Sequence, residues 1–233
     1  MGLLSKLFGG GEAASETDAN VTPLETGAAT GAGNPILPGD PAAVPSLGES
    51  PIPGISEAEA SEEVAAVFGQ VKEAMQIPFV PNILQMLANC PQALKATVGA
   101  IAELQLNSTL PRPVVSMVLY SIAAASECRY CGSMHKLSCR TLGIDDATLA
   151  ALSGNLGTLT PERVQAIVAF AVKTAKSPKD LSGGDFEKLR EMGISDAEIV
   201  EIVALAALGG YLDAIADALK IDVDEMIAQG LAA

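Results

Sequence analysis

The sequence predicts an all-α protein, on three grounds. Aromatic residues make up 3% of the 233 positions and Trp is absent, while 49% are hydrophobic. Ala, Leu, Ile and Val dominate that share, which suits close-packed helices better than a sandwich of strands. From Ser56 onward apolar residues recur at helical spacing, and no stretch alternates with period two for long enough to form a strand. Prolines and small polar residues interrupt the pattern where helices should begin.

Taken in order, the chain opens on Met1-Gly2-Leu3-Leu4-Ser5-Lys6-Leu7-Phe8. Leu3, Leu4, Leu7 and Phe8 share one face of a short helix. The segment lacks the basic start, long apolar core and cleavage site of a secretion signal, and Lys6 breaks the myristoylation pattern. Residues 1–10 are therefore expected to be a docking peptide for a partner, a protein shell or a membrane surface. A frayed terminus is the competing expectation, because one or two isolated turns are unstable in water. Between Gly9 and Gly54 there is no Lys or Arg, and Gly, Ala, Pro, Ser, Thr and acids prevail. Residues 11–55 are accordingly expected to form a disordered linker, extended where Pro38, Pro41, Pro45, Pro51 and Pro53 stiffen it.

Residues 56–233 carry the helical domain, with roughly eight to ten helices. Ser56 with Glu59, and Ser61 behind them, supply N-cap chemistry ahead of Val64, Val67, Phe68 and Val71. Pro78 and Pro81 precede Ile83, Leu84, Met86 and Leu87. Pro91 opens a helix bearing Leu94, Val98, Ile101 and Leu104. Pro111 and Pro113 open another through Val114, Val118, Leu119 and Ile122, and Thr160-Pro161-Glu162 begins a third. Leu142-Gly143-Ile144-Asp145-Asp146-Ala147 and Met192-Gly193-Ile194-Ser195-Asp196-Ala197 echo one another. In each, Gly should end a helix in the left-handed conformation and the next polar pair should cap its successor, as in a repeated helical unit.

Charge and apolar length exclude some functions. Twenty-eight acids against fourteen bases give a formal charge of −14, which repels phosphate backbones and argues against nucleic-acid binding. The apolar runs Val114–Ala125 and Ile202–Leu212 are shorter than the roughly 18–20 residues of a membrane span. Four cysteines are too few for a disulfide scaffold at this length.

Chemistry concentrates in Ser126-Glu127-Cys128-Arg129-Tyr130-Cys131-Gly132-Ser133-Met134-His135, which holds the only His and two of the four Cys. On a helix, Cys128 and Cys131 stand one turn apart and His135 one turn beyond Cys131. Three assignments compete: inert packed thiols, a zinc site using Cys128, Cys131, His135 and Cys139, and thiol redox chemistry. Zinc is disfavoured because a continuous helix spreads Cys128 and Cys139 over about 16 Å, against metal bonds near 2.0–2.3 Å. Redox chemistry fits the spacing best, one thiol attacking and its neighbour resolving the product to a disulfide. Cys90 and Cys139 read as structural.

The pattern C-x-x-C-x-x-x-H in an all-α chain resembles the alkyl hydroperoxidase D-like proteins of the carboxymuconolactone decarboxylase family. Phe79-Val80-Pro81-Asn82-Ile83-Leu84 with Leu87-Ala88-Asn89-Cys90-Pro91 is similar to the opening of its peroxidase-related branch. Gly193 to Ile199 and Tyr211 to Asp217 are similar to its closing helices. The resemblance covers about residues 56–225. It implies a helical subunit forming trimers or hexamers, which reduces peroxides through the Cys pair with a dithiol reductant and no metal or organic cofactor. It further implies Cys131 as the attacking thiol, Cys128 as the resolving thiol and His135 in a proton relay, although spacing alone does not order the two sulfurs. The relay carboxylate of that family falls at Ser116 here, so the proton acceptor is weakened. The expected function is a cytoplasmic thiol-dependent peroxidase or disulfide oxidoreductase. The alternative is a catalytically weakened helical scaffold or cargo protein, sequestered through its N-terminal peptide.

Overall fold

In the computed structural model, residues 35–233 are described. The expected docking peptide at residues 1–10, and residues 11–34 of the expected linker, lie outside them. The described residues form ten α-helices: α1 (Glu62–Met75), α2 (Asn82–Leu87), α3 (Pro91–Ile101), α4 (Arg112–Ser126), α5 (Arg129–Thr141), α6 (Asp146–Ser153), α7 (Glu162–Lys176), α8 (Gly183–Glu191), α9 (Asp196–Ala218) and α10 (Glu225–Ala232). No strand occurs among them; one isolated bridge joins Ile36 to Asn155.

Local chemistry sets the helix boundaries. The Ser61 hydroxyl accepts from Val64 N–H at 3.4 Å and starts α1; Ser56 and Glu59 bond each other in the turn before it. Pro91 occupies the first turn of α3 and Pro113 that of α4, where the missing N–H costs nothing. The two echoing junctions are alike in hydrogen bonding. Gly143 (φ +81°) donates to Arg140 O and Ile144 to Cys139 O; Gly193 (φ +75°) donates to Arg190 O and Ile194 to Leu189 O. Asp145 then caps α6, and Ser195 with Glu198 forms a reciprocal capping box on α9. Glycine takes these left-handed positions without the clash a Cβ would bring.

Helix α4 is the central element, buried continuously from Val114 to Ala124, with α5, α6, α7 and α9 around it. Two apolar clusters meet along it. The first joins α4 with α6, α7, α8 and the first half of α9, and includes Leu119, Leu152, Ile167, Val168 and Leu205. The second joins α1 to α3 with the second half of α9 and contains Cys128, Tyr130 and Cys131. Helix α9 proves longer than its apolar run suggests: its 23 residues are long and apolar enough to cross a membrane. Half of its most apolar window is buried inside the domain.

The linker expectation is corrected for residues 35–55, nearly half of its length. Residues 35–55 lie along the helical body as a strap. Leu37 is buried in the first cluster and its N–H donates to Gly154 O at 2.7 Å. Asp40 caps a short 3-10 turn at Pro41–Ala43, accepts from Tyr120 Oη at 3.2 Å and pairs with Lys136. Further along, Ser46 Oγ donates to Asp222, Asn89 Nδ2 to Pro53 O and Ile55 N–H to Gln85 O. Average composition hides such a segment: a few spaced anchors suffice when prolines have already restricted the unfolded chain.

Pro41 sits directly on Gly132, where an added Cβ would overlap the proline ring. Gly132→Ala should therefore lift the turn and destabilise the chain by about 1–3 kcal/mol, as overpacking does. Faster amide exchange across residues 37–44, with a lower melting temperature, would register it.

Candidate active site

The site begins where α4 stops. Glu127 takes the left-handed conformation (φ 56°), and Cys128 N–H returns to Ala123 O at 3.0 Å. This tight reversal makes Cys128 the N-cap residue of α5 rather than part of its body, so Cys131 lies in the first turn. The expected single helical stripe is corrected accordingly. Cys128 precedes the helix, while Cys131 and His135 lie within it. The thiols still converge, because an N-cap residue and the third helical residue overlie each other.

Tyr130, between the two cysteines, locks the turn in place. Its hydroxyl donates to Asp224 Oδ2 at 2.8 Å and accepts from Ile83 N–H at 3.2 Å. Asp224 also accepts from Asn82 N–H at 2.8 Å, at the start of α2. The Pro81-Asn82-Ile83 segment is thereby clamped over α5. Pro81, Ile83 and Leu84 wall a small cavity of about 50 Å³, whose lining includes Cys131, His135, Met134 and Leu212. Gln105 joins this wall from the π-helical turn Ala102–Leu106, which continues α3.

The fourth contributor comes from α9. Asp213 is buried, and one of its carboxylate oxygens lies with the sulfurs of Cys128 and Cys131 in a group whose members are all within 4.8 Å of one another. Its Oδ2 atom is buried with no hydrogen-bond partner. Burial pushes the Asp213 carboxyl up to about 6, although the two thiols and the Ser126 hydroxyl pull the other way. Asp217, one turn further along α9, is also raised, by burial, and lies near the Cys128 thiol. The Cys131 thiol is driven well above its ordinary value, first by its interaction with the Cys128 thiol, then by burial and by Asp213. The resting Cys131 thiol is therefore protonated, beside a carboxylate.

The other expected site residues divide. His135 is buried and lines the cavity, and its imidazole makes no hydrogen bond among the described residues; burial pulls it down to about 4, so it is neutral at pH 7. Ser116 is bonded elsewhere, its hydroxyl sharing a 3.0 Å hydrogen bond with Ser138 across α4 and α5. Cys139 is fully buried in the first apolar cluster, apart from Cys131 in the second, and burial lifts its thiol to about 12. Cys90 is exposed at the start of α3, its thiol donating to Gln92 Oε1. Lys136 is engaged with Asp40.

Sequence reasoning missed Asp213. The available signal was a single acid between Leu212 and Ala214, on an otherwise apolar stretch of α9. A carboxylate there is buried unless the helix turns it outward, and a buried carboxylate needs a partner.

No family model and no curated protein matches the sequence. Solved structures do match the fold. One is the alkylhydroperoxidase AhpD core of an uncharacterized peroxidase-related protein from Ralstonia eutropha JMP134. It is 24% identical with a TM-score of 0.70, over 78% of this chain and 96% of that one. An uncharacterized peroxidase-related protein from Silicibacter sp. TM1040 is 22% identical with a TM-score of 0.64, over 84% and 97%. The debrominase Bmp8, in complex with 2,3,4-tribromopyrrole, is 19% identical with a TM-score of 0.67, over 81% and 98%. The protein is thus an all-α chain carrying two adjacent buried thiols, and its fold is AhpD-like.

Proposed function

We propose that the chain is a dithiol oxidoreductase that reduces a small peroxide at Cys131 and resolves it with Cys128. The observation that carries this reading is the meeting of the two sulfurs and the Asp213 carboxylate beside a cavity that Cys131 lines. The peroxidase-related names of two fold neighbours favour the same reading. Cys128, fully buried, is suited to resolving.

The reaction balances within these groups. Asp213 accepts the Cys131 proton, and the thiolate attacks the outer peroxide oxygen. The O–O bond breaks, giving a Cys131 sulfenic acid and an alkoxide that takes up the proton as an alcohol. Cys128 then attacks the sulfenic sulfur, expelling water and forming the Cys128–Cys131 disulfide. Two electrons have passed from sulfur to oxygen, and a dithiol reductant returns them by exchange. The cavity is small and mostly apolar, which suits hydrogen peroxide or a short alkyl hydroperoxide. An imidazole held neutral by burial offers a proton acceptor or donor at its edge without adding charge.

Thiol counting tests the reading. One equivalent of hydrogen peroxide should remove two titratable thiols per chain, and an added dithiol should restore them. Cys131→Ser should form no intramolecular disulfide. Thiols unchanged by peroxide would refute the proposal.

A further inference from the structure

The surroundings of the thiol pair are anionic. Asp213 acts on Cys131, and Asp217 lies near Cys128. A thiol tuned for attack usually has a cationic neighbour that favours its thiolate; here carboxylates occupy that place and His135 is neutral. Two thiols and a carboxylate form a donor set that a positive ion would complete.

We propose that the reduced chain binds one thiophilic divalent cation, zinc being the probe of choice, through Cys128 Sγ, Cys131 Sγ and a carboxylate oxygen of Asp213. All three residues are buried, and their ligand atoms lie within 4.8 Å of one another. Atoms so spaced all lie within about 2.8 Å of a common point, so small side-chain rotations reach the 2.0–2.3 Å bonds of zinc to sulfur and oxygen. Asp213 Oδ2 is the second, independent sign. It is buried without a hydrogen-bond partner, an arrangement that costs stability unless something fills it. A water or Asp217 takes the fourth tetrahedral position.

This donor set differs from the one weighed on sequence, replacing His135 and Cys139 with a residue from α9. Binding displaces the two thiol protons to solvent, so affinity rises with pH. It requires only reduced thiols and does not depend on the proposed peroxide chemistry. The disulfide form has no thiolates to offer, so oxidation and metal occupancy exclude each other.

The experiment uses the full-length, reduced, metal-stripped chain carrying Cys90→Ser, which removes the exposed thiol. Zinc is titrated in competition with a chromophoric chelator, and cobalt is substituted as a spectroscopic probe. The expected result is one ion per chain, with intense tetrahedral cobalt bands and thiolate-to-cobalt charge transfer. Asp213→Asn keeps side-chain shape and should weaken zinc at least tenfold while both thiols stay titratable. Cys131→Ser should abolish the charge-transfer signature of a two-sulfur site. Absence of binding, weak octahedral cobalt bands, or unchanged zinc affinity in Asp213→Asn would each overturn the proposal. Thiol loss to peroxide in the metal-free parent reports separately on the oxidoreductase reading.

Discussion

Replacing Asp213 by Asn should slow peroxide oxidation of the thiol pair by about 100-fold, the low end of what a positioned general base contributes. The Cys131 thiol is held protonated by its Cys128 neighbour, by burial and by Asp213 itself. Without a nearby acceptor, its thiolate would have to form in a buried, poorly solvated place. Asp213 is poised for that step because burial brings its carboxyl to about 6, so it is mostly ionised at pH 7 yet far more basic than an exposed aspartate. An Asn amide matches the shape and cannot take the proton. Stopped-flow measurement of thiol loss in metal-free protein, with equal melting temperatures for parent and variant, is the test. An Asp213→Asn rate within threefold of the parent would remove the residue from the mechanism.

The second large effect is an opposition between two buried groups in acid. His135 is held near 4, against an ordinary value of 6.5. Both folded and unfolded chains are neutral there above about pH 6.5, so this contribution to stability is fully present. As pH falls towards 4 the unfolded chain takes up a proton that the folded one refuses, and about 3 kcal/mol is lost. Asp213 runs the other way, raised from 3.8 to about 6. Between these values the folded chain binds the proton first, so acidification returns about 3 kcal/mol. The two contributions should nearly cancel between about pH 6 and 4. Each single variant should unmask its partner. Relative to the parent, His135→Asn should gain stability on acidification from pH 7 to 4.5 and Asp213→Asn should lose it, by about 2–3 kcal/mol each. Urea unfolding with a chelator present reads both, and parallel pH profiles in all three proteins would contradict the assignment.

Much of this arrangement was legible in the sequence because it rests on local chemistry. Capping at Ser61, Asp145 and Ser195, prolines at Pro91 and Pro113, and left-handed Gly143 and Gly193 act within a few residues, and the folded chain uses them as expected. The Cys pair was visible for the same reason. Two features were not legible. Asp213 stands 85 residues beyond Cys128, and only the packing of α9 against α5 brings them together. The break at Glu127 was hidden as well, since nothing about that glutamate marks a left-handed residue. Nor was the partner of Ser116 legible: the resemblance put a weakened relay position there, and the crossing of α4 and α5 brings its hydroxyl to Ser138, 22 residues away.

The seating of Pro41 against Gly132 places a piece of the N-terminal strap immediately behind the residue next to Cys131. The helical domain expected to begin at Ser56 is therefore also packed by Leu37, Asp40 and Pro41 ahead of it. A version trimmed to the helices alone would bare the slot of Leu37 and strip the backing from the first turn of α5, leaving both sulfurs on a looser footing.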